Sequence, residues 1–201
     1  MRSITMLASA VLIAGSGMCF SAEPTGDQEQ PLRKLALAQA DCEIATKETA
    51  AVIENQPYQR LLELTRVASS QANQRYNKAL EREAAKPEEQ RNKALIDLLV
   101  EERQANGAAI EEDERNLKTI SGKAEKLEMQ RQCLQGAFQQ ANQMLESLKR
   151  TDSTVESTVP LYAAIAAEAR RIATEYKQVI KDLDLFQKKW EAAAAVAKAK
   201  Y

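Results

Sequence analysis

Histidine is absent from the chain, which removes a Cys/His metal site and a Cys–His nucleophile from consideration. Glycine and proline are nearly as sparse, at six and five residues in 201, so few places exist where regular structure can break. Aromatic residues make up only 4% of the chain. No Asn-x-Ser/Thr sequon, glycine-rich phosphate loop or Ser/His/Asp set occurs, and no long single-sign charge run either. The 28 basic and 29 acidic residues nearly cancel, which argues against a nucleic-acid partner. These absences leave no cofactor site and point away from an enzyme.

What is present is the composition of long helices: Ala, Glu, Lys, Gln, Leu and Arg dominate. The chain opens with Met1-Arg2-Ser3, a stretch from Ile4 to Met18 that is apolar or small throughout, and Cys19-Phe20-Ser21-Ala22, which supplies small residues before Glu23. That is the form of a secretory signal peptide over 1–22, cleaved after Ser21 or Ala22, and too short for a transmembrane span. Cys19 after Ser16-Gly17-Met18 is the alternative, a lipidated N-terminal cysteine, although Met18 is bulky for the position before it. Without that lipid, membrane anchoring is not expected. The expected location is the bacterial periplasm or the exterior. Residues 23–31 read as a disordered lead-in.

The rest, 32–201, reads as one all-α domain: an elongated antiparallel hairpin or coiled coil, with a third C-terminal helix making a three-helix bundle at one end. The expected helices are about 32–85, 88–149 and 158–199, with a kink or short break at Pro57. Lys86-Pro87 is the expected hairpin turn, because the residue before proline leaves the α region and proline suits a helix's first turn. Three seams carry this reading. The first is Leu35, Ala38, Cys42, Ala45, Thr49 and Val52, resumed less regularly by Leu61, Leu64, Ala68, Ala72, Tyr76 and Ala79. The second runs at 110, 113, 117, 120, 124, 127, 131, 134, 138, 141, 145 and 148, with ten of twelve positions apolar. The third is Tyr162, Ile165, Ala169, Ile172, Tyr176, Val179, Leu183, Phe186, Trp190, Ala193, Ala197 and Lys200. Gly107 and Gly122 are candidate bends.

Two site expectations follow. Cys42 lies 45 residues before Pro87 and Cys133 lies 46 after it, so equal arms would bring the sulfurs level and allow a disulfide. Such a bond would contribute about 4–5 kcal/mol in the chain-entropy account. One detail opposes it: Cys133 falls one place before the seam residue Leu134. At the hairpin tip, Tyr76, Leu95, Ile96, Leu98, Leu99 and Val100 carry more apolar surface than two helices bury and form a candidate interaction patch. The acidic run Glu111-Glu112-Asp113-Glu114 reads as a solvated face, since successive helical residues diverge.

The expected function is therefore an exported, non-enzymatic helical bundle acting by protein–protein contact: an envelope structural subunit, adaptor or secretion-apparatus component. A homo-oligomer is one form such contact could take. The alternatives are a periplasmic holdase-type chaperone and, against the sparse charge of the tail, a secreted membrane-active helical effector.

Overall fold

The computed structural model describes residues 26–150 and 155–200. The expected leader, its cleavage site and Cys19 lie outside them. Among the described residues the fold is all-α. Helix α1 spans Gly26–Asn55 and α2 spans Tyr58–Ala84; a 3₁₀ turn at Glu88–Gln90 leads to α3, Lys93–Arg150; a second 3₁₀ turn at Val155–Thr158 leads to α4, Val159–Lys200. Helices α1 and α2 follow one another along one line, α3 returns antiparallel to them, and α4 runs back parallel to α1 and α2.

The break between α1 and α2 falls at Gln56-Pro57, as the proline requires. A break in a packed helix frees backbone groups that need partners. Tyr176 of α4 supplies them: its hydroxyl accepts from the Tyr58 N–H at 3.3 Å and donates to the Gln56 carbonyl at 3.1 Å. The ring is wholly buried. Burial raises the phenol's pKa, which keeps it protonated as a donor.

Around this joint lies the central core, with Ile53, Tyr58 and Leu62 meeting Leu117, Ala124 and Leu127 of α3 and Ile172, Val179 and Leu183 of α4. A lower core joins Leu35, Cys42 and Ala45 to Ala141 and Leu145 and to Tyr162, Ile165, Ala166 and Ala169. Here alanines let α1 approach α4 closely enough for the buried Thr49 hydroxyl to reach the Ala169 carbonyl at 2.8 Å. Its own-helix carbonyl, Ala45, is at 2.7 Å, so one proton is shared between the two. Asn142 ties all three arms, its Oδ1 accepting from Gln39 at 3.1 Å and from Tyr162 at 2.8 Å. In the upper core Trp190 fills the space that Ala68, Ala72 and Ala194 leave.

The seams of α1, α3 and α4 are the faces that the fold buries. The α2 stripe differs: Leu64 is exposed, and Leu62 and Thr65 take the core positions. The interruption at Pro57 resets the helical phase, so the stripe cannot be carried across it by counting.

The hairpin turn is longer than expected. Helix α2 ends at Ala84, Pro87 opens the 3₁₀ turn rather than a helix, and Arg91 is extended. The return helix starts only at Lys93, capped by Asn92, whose Oδ1 accepts from the Leu95 N–H at 3.1 Å. The Arg91 side chain closes the loop on the Lys86 carbonyl at 2.9 Å. The centre of the hairpin therefore lies near residue 91, not at Pro87.

This displacement corrects the disulfide. Gln39 pairs with Asn142, Tyr58 with Glu125 and Arg66 with Glu114, so the residue level with Cys42 is near 140. Cys133 is about seven residues away, roughly 10 Å along the axis. A shift of the centre by a few residues doubles when read across the arms. Both cysteines are free thiols, Cys42 buried in the lower core and Cys133 exposed on the flank of α3.

One further boundary moves. Residues 26–31, expected as disordered lead-in, are the first turns of α1, with Pro31 inside the helix. Helix α4 has its expected bounds to within a residue but covers more of α3 than the expected distal half: Lys200 pairs with Glu102 at 2.9 Å, and Ala194 and Ala197 are buried. The three-arm section thus extends for about 63 Å, the 1.5 Å rise over the 42 residues of α4. Only the part beyond Glu102 is two-helical.

Tyr176→Phe keeps the ring and leaves the Tyr58 N–H and Gln56 carbonyl unpaired, so it should cost about 1–3 kcal/mol in chemical denaturation. Helix α3 passes unbroken through Gly107 and Gly122, and a Cβ at either would meet nothing within 4 Å. Gly122→Ala should therefore raise stability by about 0.5–1 kcal/mol, read as a higher midpoint at unchanged slope.

Candidate interaction surfaces

The hairpin tip is more closed than its sequence suggests. Leu99 is fully buried; Tyr76, Leu95, Ile96 and Val100 are half-buried; Leu98, 45% exposed, is the one that faces out. The long reach of α4 and the eight-residue turn account for the difference. Glu83 is buried at this end and forms an ion pair with Lys86.

The acidic run behaves as a solvated face except at Asp113, a seam position, which is buried and paired with Lys189 of α4. The Lys189 ammonium lies 5.3 Å from the Trp190 ring centroid and 5.9 Å from that of Phe186, so one cation is held by a carboxylate and two rings. Sequence reasoning placed Asp113 on the seam but did not draw the consequence.

Helix α1 packs chiefly on α4 and only lightly on α3. A groove of about 370 Å³ opens between α1 and α3, with Leu134 and Phe138 on its wall and Glu43, Lys47 and Glu54 on its rim. Arg131, the basic residue of the α3 seam, also lines it, and its buried Nε has no hydrogen-bond partner among the described residues.

The outer face of α1 is the surface that sequence reasoning missed. Leu37 is 63% and Ile44 55% exposed, and Ala40 and Ala51 on the same stripe are exposed as well. The positions 37, 40, 44, 47 and 51 repeat the heptad spacing of the buried seam on the opposite side of the helix, four of the five apolar and the fifth, Lys47, paired with Glu43. The signal was available: residues between the seam positions of α1 should have been polar, and several are not.

No protein-family model, characterised protein or solved structure matches the chain. The fold itself, a three-armed helical bundle, hosts too many activities to name one.

Among the described residues, no three His, Cys, Asp or Glu side chains converge as metal ligands, and no helix is long and apolar enough to cross a membrane. Cys42 has its thiol pKa pushed up to about 11, first by burial and then by the neighbouring Asp41 carboxylate, against a smaller opposing effect of Arg170. A thiolate is needed for alkylation, so native protein made without residues 1–22, and hence without Cys19, should at pH 8 incorporate one equivalent of iodoacetamide, at Cys133. A second equivalent, at Cys42, should appear only on unfolding without reductant. Peptide mapping by mass spectrometry checks both.

Proposed function

We propose that this chain is an exported, non-enzymatic helical bundle that works by protein–protein contact, as an envelope structural subunit, adaptor or secretion-apparatus component. The observation that carries the reading is the second apolar seam of α1. A monomeric helix packed on one side gains nothing from apolar residues grouped on the other, and exposed apolar residues grouped on one face mark a contact surface. Isolated exposed leucines such as Leu185 of α4 are ordinary; two large residues and two alanines in heptad register are not.

Export is supported by the leader-like composition of residues 1–22. The partner is a helical surface, since a heptad stripe is complementary to another of its kind. Either a second copy of the chain or a different protein meets that description.

A photo-crosslinking amino acid at position 37 or 44, introduced in the native host, should give discrete higher-mass adducts. The same group at Leu185 should give none. Leu37→Glu with Ile44→Glu should abolish the adducts made from position 40 while changing stability by no more than about 0.5 kcal/mol, as for other surface substitutions. Equal adducts from α1 and α4, or none from either, would overturn the reading.

A further inference from the structure

The exposed apolar stripe of α1 ends in a charge of opposite sign at either side. Arg33 lies four residues before Leu37 and Glu54 three residues after Ala51, so both continue the alternating steps of the stripe, and both are exposed. We propose that the occupant of this stripe is a second copy of the chain, its α1 laid antiparallel against the first. The proposal rests on the protein-contact reading and names the partner which that reading leaves open.

The order of charge along the helix carries the choice. Arg33 and Lys34 stand towards the start of the stripe, Glu48 and Glu54 towards its end, and all four are exposed. Other charges of this face are engaged within the chain, Lys47 with Glu43 and Asp41 with Arg170. A helix that is basic at one end and acidic at the other is complementary to itself when reversed. Two antiparallel copies set Arg33 and Lys34 of each beside Glu48 and Glu54 of the other, twice over by the two-fold axis. Two parallel copies would set like charges together at both ends, which is unfavourable. A different protein would have to carry the reverse order in its own sequence, whereas a second copy has it already.

The apolar part is compatible with itself as well. Leu37 and Ile44 supply bulk, and the exposed Ala40 and Ala51 let two backbones come close. Lys47 sits between apolar neighbours, where its aliphatic stem can cover surface while its ammonium stays in water. The inner seam of α1 is already filled by α3 and α4, so docking on the outer face asks for no rearrangement of the bundle.

Area sets the strength. Residues 33–54 span three heptads, about 31 Å of a helix about 10 Å wide. Two such strips bury roughly 600 Å², about half of a small standard interface, so the dimer is a weak, concentration-dependent one.

Sedimentation equilibrium of the protein purified from its own host, from about 1 μM to about 1 mM, brackets a dimer of that kind. Reductant is present throughout, so that the exposed Cys133 cannot join chains. The average mass should rise from one chain towards two, and Leu37→Glu with Ile44→Glu should hold it at one. Arg33→Glu alone and Glu54→Arg alone should each weaken dimerisation about fivefold, because each places like charges together twice in a dimer. The two changes in one chain should restore it. Leu185→Glu, on α4, should have no effect. A chain that stays monomeric throughout, or a dimer indifferent to the single charge reversals, overturns the proposal. The crosslinks from positions 37 and 44 judge the underlying reading separately. Adducts of twice the chain mass support both, adducts that hold a different chain overturn this proposal and leave the contact reading standing, and a monomer without adducts overturns both.

Discussion

A single hydroxyl holds the joint on which the bundle turns. The proline at position 57 forces α1 and α2 apart, and two backbone groups are left at the edge of the central core. Without a partner from another arm they would either draw in water or bend the chain away from α4. Tyr176 meets both groups at once and buries its ring among Leu127, Ile172 and Val179. The break then becomes a fixed angle and phase step between α1 and α2. Everything above the joint, including which α2 residues face inward, depends on that step.

The other polar contacts between arms act as a ruler. Gln39 and Tyr162 on Asn142, Thr49 on Ala169 and Asp113 with Lys189 are spread along the length of the bundle. Apolar seams rich in alanine are tolerant of sliding by a heptad, because one small residue replaces another at little cost. A buried polar group is not tolerant, since a slip would leave it unpaired. The exposed Arg170–Asp41 and Arg171–Glu168 pairs add little by comparison, being screened by solvent.

Much of the architecture could be read from residue order. The seam of α4 is buried almost position for position, and the α3 seam includes its two polar members, Asp113 and Arg131. Both of these turn out to mark places where the packing does something other than fill space. The failures share one cause, which is that periodicity gives the face of a helix and not its register against a neighbour. Counting from Pro87 assumed a tight turn, whereas Asn92 caps a helix that begins six residues later than that proline. A phase change at Pro57 was expected, yet Leu64 was placed on the new stripe where Leu62 and Thr65 take the core positions. The outer stripe of α1 was legible and overlooked, because the inner seam on the same helix was so regular.

The light packing of α1 on α3 has a consequence in time. Helices α2 and α3 are joined by a short turn, so their contacts close small loops, but α1 rests on α4 through pairs such as Thr49 and Ala169, 120 residues apart. Non-local contacts of this kind are the last to form. Of the described helices, the first to emerge from the ribosome is therefore the last to find its place. Until α4 arrives, α1 carries two uncovered apolar stripes, the period in which the chain most needs protection from aggregation.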